Sequence, residues 1–158
     1  MDILNPTGEQ FYAMMTAFFS NSEKCRFKIQ CPGFSMAPFI RHDSLLTVTP
    51  LEASHTLEVG DIVLAAMHNY RKMIVHRIIA RENDRYQVKG DNNMESDGWF
   101  YREDILGRVE TIEFNGRQNI PAPWANKLIA WTSKLGLLNH FLLPSVRTVK
   151  KLYGYARE

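Results

Sequence analysis

Short apolar stretches separated by turn residues fill the middle of the chain, and this pattern restricts the fold more than any other feature. Residues 26–31 alternate polar and apolar side chains, the period of a half-buried strand. The other predicted strands cover residues 44–49, 62–67, 73–80, 86–88 and 105–114. Asn115-Gly116 is a strong turn dipeptide and ends the last predicted strand. The spacing therefore predicts a mainly β fold.

Helical patterns flank this β-rich region on both sides. Residues 7–21 have the spacing of an amphipathic helix, and residues 124–138 again carry apolar side chains at helical spacing. We therefore expect an N-terminal helical segment over residues 1–25, a β domain over residues 26–120 and a basic amphipathic helical tail over residues 121–158.

Composition excludes several classes of function. The chain has 158 residues, is 45% hydrophobic and carries a net charge of +2, which gives no reason to expect a nucleic-acid partner. Neither the two cysteines nor the five histidines show metal-ligand spacing, so we expect no metal or cofactor. The apolar run at residues 11–19 is far shorter than the roughly 20 residues of a membrane span. A cytoplasmic or peripheral membrane location is expected.

The tail is strongly basic. From residue 127 onward the chain has a single acid, Glu158, against the basic residues Lys127, Lys134, Arg147, Lys150, Lys151 and Arg157. One interpretation is an amphipathic segment that contacts an anionic membrane surface or a partner protein. The alternative is an ordinary helix that packs on the sheet and exposes a solvated basic face.

A kinked loop at residues 31–38 carries one hydroxyl group near its centre. Gly33 allows unusual backbone torsions, and Pro32 and Pro38 fix torsions on either side. Such a loop can hold Ser35 in one orientation. A serine becomes a useful nucleophile only when a neighbouring base takes its proton.

The candidate base is His76, which alternates with Ile74 and Ile78 on one predicted strand face. Taken alone, this pattern favours a buried structural histidine. Lys72 is a poor substitute, because four strand residues place it about 13 Å from His76. The acids of residues 90–97 either form side-chain turns or supply a carboxylate that orients His76.

Taken together, these stretches resemble the ordered sequence boxes of type I signal peptidases in the S24/S26 serine peptidase superfamily. The matching boxes are Gly33-Phe-Ser-Met-Ala-Pro38, Val59-Gly-Asp-Ile-Val63, Val75-His-Arg-Ile78, Lys89-Gly-Asp-Asn-Asn93 with Asp97, and Gly107-Arg-Val109. The resemblance covers residues 28–109, about half of the chain. It is closest to the Ser-His branch of the endoplasmic reticulum and archaea, since other branches have lysine at the position of His76.

The resemblance implies a fold and a set of site residues. The fold would be the coiled β-sheet domain that signal peptidases share with the C-terminal domains of SOS repressors. Ser35 would be the nucleophile, His76 the general base, Asp97 the catalytic acid and Asp91 a second acid. The implied substrate-binding residues of the nucleophile loop are Gly33, Phe34, Met36 and Pro38.

The implied function is a serine endopeptidase that cleaves a leader or precursor peptide with a Ser-His dyad assisted by an aspartate. The alternative is a non-catalytic peptide-binding module of the same fold that acts in precursor maturation. Two features depart from the family. The helix predicted before the serine loop is short and carries no clear membrane span, and Gly33 stands where many bacterial relatives have a serine that contributes to the oxyanion hole. That hole would then depend on backbone N–H groups such as that of Ser35.

Overall fold

A computed structural model describes residues 8–20, 25–52, 55–120 and 122–135. The outer ends of both predicted helices, at residues 7, 21 and 136–138, lie outside these residues. The helices are α1 (Gly8–Ser20) and α2 (Pro123–Lys134). The strands are β1 (Phe27–Cys31), β2 (Ser44–Pro50), β3 (Ile62–Met67), β4 (Lys72–Glu82), β5 (Arg85–Lys89), β6 (Gly98–Tyr101), β7 (Ile105–Phe114) and β8 (Arg117–Asn119).

The strands form one antiparallel sheet in the order β1-β2-β7-β3-β4-β5-β6, and β8 pairs with β7. The mainly β fold predicted from the sequence is therefore confirmed. β7 separates β2 from β3, so the two halves of the sheet are joined through a strand that comes late in the chain.

Two strands, β6 and β8, were not predicted from the sequence. β6 is a four-residue aromatic strand just after the turn-rich stretch, and it pairs with β5. β8 is polar and exposed, so it has no apolar alternation to reveal it. The Asn115-Gly116 turn forms as predicted, with φ of 50° and 72°, the left-handed torsions of a tight hairpin. The interpretation of residues 105–114 as the last strand is therefore wrong.

The core lies on both sides of β3. Ile62 and Leu64 pack with one cluster, which also contains Met15 of α1, whereas Val63 and Ala65 pack with the other. Successive strand residues point to opposite faces, so a strand buried on both faces reads as a continuous apolar run. This explains why β3, at the middle of the sheet, has no polar alternation.

The helix α2 lies against the sheet at Gly60, just before β3. A Cβ atom at Gly60 would stand 2.8 Å from the carbonyl carbon of Asn126, and its φ of +106° also favours glycine. Ala130 and Ser133 are the buried residues of the helix. The described part of the predicted tail is thus in contact with the β domain, while the proposed boundary at residue 121 stays a prediction. Neither described helix is long and apolar enough to cross a bilayer.

Candidate active site

The serine loop between β1 and β2 is held by its own backbone and by a histidine. Gly33 has φ of +104° and donates its N–H to His42 Nδ1 at 2.9 Å. The Phe34 ring stacks on His42 with centroids 5.1 Å apart. The N–H of Ala37 donates to the Phe34 carbonyl oxygen at 3.1 Å, which closes a turn around Ser35. The side chain of Ser35 is thereby presented at a half-buried position.

One imidazole connects this serine to an aspartate. His76 Nε2 lies 2.9 Å from Ser35 Oγ, and His76 Nδ1 lies 2.7 Å from Asp97 Oδ2. The three residues come from separate places: the serine loop, β4 and the segment before β6. The side chains of His76 and Asp97 are largely buried, so little water competes for these hydrogen bonds.

The carboxylate determines which nitrogen of His76 carries the proton in the neutral ring. An ionised aspartate can only accept hydrogen bonds, so Nδ1–H donates to Asp97 Oδ2. Nε2 is then the free acceptor for the Ser35 hydroxyl proton. The backbone N–H of Asp97 donates to the Val88 carbonyl oxygen at 2.8 Å, which anchors the acid to β5.

Asn92 connects the serine loop to residues 90–97, which carry both Asp91 and Asp97 and are called the acid segment. Its backbone N–H donates to the Ser35 carbonyl oxygen at 2.7 Å, and its Nδ2 donates to the Phe34 carbonyl oxygen at 2.9 Å. Gly90 allows this approach, because a Cβ atom there would stand 2.8 Å from the same Ser35 oxygen. Sequence analysis assigned no such role to Asn92, although it belongs to the recognised Gly-Asp-Asn-Asn box.

Asp91 does not join the Ser35-His76-Asp97 group. It forms a bidentate ion pair with Arg77, the residue after His76, with Nε–Oδ1 and Nη2–Oδ2 distances of 2.8 Å each. Arg77 Nη1 also donates to the Gly60 carbonyl oxygen at 3.0 Å and to Asn126 Oδ1 at 2.8 Å. Both charged side chains are almost completely buried.

A second buried cation connects β5 to α2. Lys89 Nζ donates to the backbone oxygen of Ser133 at 3.0 Å and to its Oγ at 3.1 Å. Burial lowers the pKa of Lys89, and the negative charges of Asp91 and Asp97 partly oppose that shift. Sequence analysis did not single out Asn126 or Ser133, because nothing local indicates that a polar helix face meets two buried cations.

Residues 3–110 match the family described as Peptidase S24-like, and this match covers more than half of the chain. The chain belongs to the Peptidase S24-like family. The match includes Ser35, His76 and Asp97 and ends before α2. It confirms the S24/S26 superfamily predicted from the sequence boxes. The family contains autoproteolytic and non-catalytic members, and the signal-peptidase-like specificity stays a prediction. A comparison with curated proteins finds no match to the chain.

The residues predicted to bind substrate occupy different environments within the serine loop. Gly33 and Phe34 are half-buried, and Pro38 is exposed, so all three can be approached from solvent. Met36 is only 1% exposed and packs with the core cluster that contains Met15. Its side chain therefore anchors the loop, and a bound peptide could reach only its backbone. Within the described residues, no group of three potential ligands is placed to hold a metal ion.

Proposed function

We propose that the protein is a serine endopeptidase that cleaves a leader or precursor peptide in the manner of signal peptidases. The observation that carries the proposal is the single imidazole that bonds to Ser35 Oγ on one side and to Asp97 on the other. Nucleophile, base and orienting acid in mutual hydrogen-bond contact are the recurring arrangement of serine acyl transfer.

The proposed reaction begins when Ser35 Oγ attacks the carbonyl carbon of the scissile peptide bond. His76 Nε2 takes the hydroxyl proton as the new C–O bond forms, and Asp97 stabilises the resulting imidazolium. The C–N bond then breaks, and His76 returns the proton to the leaving amine. Water, deprotonated by His76 in turn, hydrolyses the acyl-enzyme and regenerates Ser35.

When Ser35 attacks, the carbonyl oxygen of the scissile bond becomes negatively charged. Hydrogen-bond donors that are already in place stabilise this charge. The N–H groups of Ser35 and Met36 donate to no acceptor within the described part of the chain. They belong to the central residues of the turn from Phe34 to Ala37, which follows Gly33, a residue with no side chain to contribute. We assign the oxyanion site to these backbone groups. In other serine proteases, one such donor supports the rate by about 10²- to 10³-fold.

The test compares full-length protein with two variants, Ser35→Ala and His76→Ala, on a library of precursor peptides analysed by mass spectrometry. We expect the parent to release defined products. Each variant should lose nearly all turnover, because nucleophile and base act as a unit. Thermal unfolding of the variants should stay close to that of the parent.

Matched controls use the same substitutions elsewhere. Ser96→Ala changes a serine of the acid segment that contacts Gln87, and His55→Ala changes a loop histidine. Both should cleave like the parent. If the parent binds peptides without cleaving any, the chain is the non-catalytic peptide-binding module instead. Near-parental turnover in Ser35→Ala or His76→Ala would refute the assignment of the nucleophile and base.

A further inference from the structure

The helix α2 lies on the sheet with its polar side inward. Its described contacts with the sheet use Asn126 and Ser133, which bind the buried cations Arg77 and Lys89, with the small Ala130 between them. A surface helix usually buries its apolar stripe and exposes its polar face. The need to satisfy two buried cations explains the reversed orientation here.

The opposite face of α2 is apolar, aromatic and exposed. It consists of the exposed side chains Trp124 (73%), Leu128 (54%), Trp131 (59%) and Leu135 (54%), which we call the apolar stripe. At about 100° per residue, the apolar stripe and the buried polar face point in nearly opposite directions. Exposure of two tryptophans and two leucines on one helix face is typical of a binding surface.

The charge beside the apolar stripe indicates its partner. Lys127 and Lys134 stand seven residues apart along one edge of the stripe, and residues 122–135 contain no acid. Lys127 Nζ forms an exposed ion pair with Glu58 Oε2 at 2.7 Å, whereas Lys134 is exposed near the end of the helix. Residues 136–158 add four more basic residues and one acid. A second copy of the chain would bring lysine against lysine across such an interface. An anionic lipid surface offers the complementary charge together with an apolar layer.

We propose that the apolar stripe of α2 inserts into the interface of an anionic membrane, with the helix parallel to the surface. Tryptophan suits this depth, because its ring is apolar and its N–H still reaches the headgroups. The buried polar face fastens the helix to β4 and β5, so the membrane contact also determines how the serine site is placed relative to the bilayer.

The test measures co-sedimentation of the full-length protein with vesicles of phosphatidylcholine alone and with added phosphatidylglycerol. We expect binding to the anionic vesicles, weakening as salt is raised. Trp131→Ser together with Leu128→Ser should lower the partition coefficient about tenfold or more. Trp99→Ser is the matched control, since Trp99 is an exposed tryptophan of β6 outside the helix, and it should bind like the parent.

Charge is tested separately. Lys134→Glu should weaken binding to the anionic vesicles at least fivefold, since one basic residue near such a surface contributes about fivefold and the added carboxylate is repelled. Lys72→Glu makes the same change of net charge at an exposed position of β4 and should have little effect. Equal losses in the two variants would mean that net charge, and not this helix, drives binding.

A protein whose only tryptophan is Trp131, with Trp99 and Trp124 replaced by phenylalanine, distinguishes the other occupants. We expect acrylamide to quench the fluorescence of Trp131 strongly in solution. With anionic vesicles, quenching should be weak and the emission shifted to the blue. Weak quenching without vesicles would mean that residues 136–158 or a second copy cover the stripe. Sedimentation equilibrium would tell these two apart, and either result overturns the proposal. The proposal is also overturned if the folded parent does not bind the anionic vesicles.

Discussion

Asp97 and Asp91 lie in one short segment, yet they meet opposite kinds of partner. The side chain of Asp97 is largely buried and faces His76, whose charge changes when it accepts a proton. Asp91 is completely buried and faces Arg77, whose charge is permanent. A carboxylate beside a titrating partner can act during a reaction, because its attraction strengthens as the partner becomes charged. One beside a permanent cation contributes a constant interaction and is suited to holding structure.

The largest expected effect is that of Asp97→Asn on turnover. The amide of asparagine can donate to His76 Nδ1, which favours the tautomer with the proton on Nε2. That tautomer cannot accept the proton of Ser35. We expect kcat to fall about 10³- to 10⁴-fold, with an unfolding free energy close to that of the parent.

The control for Asp97→Asn is Glu95→Gln, which neutralises an exposed acid two residues away in the same segment. It should retain parental kcat. If Asp97→Asn cleaved peptides at nearly the parental rate, the site would be a Ser35-His76 dyad, and Asp97 would have no part in catalysis.

The next expected effect is that of Asp91→Asn on stability. The substitution leaves Arg77 charged, buried and without its anionic partner. Loss of one partner from such a pair costs about 3–5 kcal/mol, measured here as the free energy of unfolding in urea. We expect kcat of the folded fraction to fall far less than in Asp97→Asn. Asp84→Asn, in an exposed turn, should change neither quantity.

A double variant keeps this test informative if Asp91→Asn does not fold. Arg77→Met with Asp91→Leu removes both charges, so no uncompensated ion remains in the interior. It should be more stable than Asp91→Asn alone, although the Gly60 and Asn126 oxygens lose a donor. A stable Asp91→Asn protein with severely reduced kcat would reverse the assignment of roles to the two acids.

Most strands of the sheet were predictable from local sequence pattern. Strand-forming composition and the flanking turn residues predicted β2 and β7 almost to the residue, whereas β8 has only exposed polar side chains and was not predicted. The site required more than pattern. Ser35 and His76 are 41 residues apart, and only the resemblance to signal peptidases connected them before the structure was known.

The resemblance distinguished Asp97, as the catalytic acid, from Asp91, but nothing in the sequence indicated that Arg77, and not His76, would be the partner of Asp91. The sequence also did not indicate which face of α2 would be buried. Apolar side chains at helical spacing predict the helix but not which face it buries. Here that choice depends on Asn126 reaching Arg77 across 49 residues of chain.

The smallest expected effect uses Lys89, which responds to both acids. Burial lowers the pKa of Lys89 below its usual 10.5, and Asp91 opposes this shift more than Asp97 does. Between the lowered folded pKa and 10.5, the unfolded chain binds more protons than the folded protein. The contribution of Lys89 to the free energy of unfolding therefore rises with pH through this window. It is least favourable below the folded pKa.

The measurement is the difference in unfolding free energy between the parent and Lys89→Met as pH is raised from about 7 toward 10.5. The parent should gain stability relative to Lys89→Met, whereas Lys72→Met, at an exposed site, should show no such trend. A carbon NMR titration of Lys89 should place its pKa lower in Asp97→Asn than in the parent, and lower still in Asp91→Asn. A flat difference in unfolding free energy would mean that burial does not lower the pKa of Lys89. A larger change of that pKa in Asp97→Asn than in Asp91→Asn would mean that Asp91 is not the acid that raises it more.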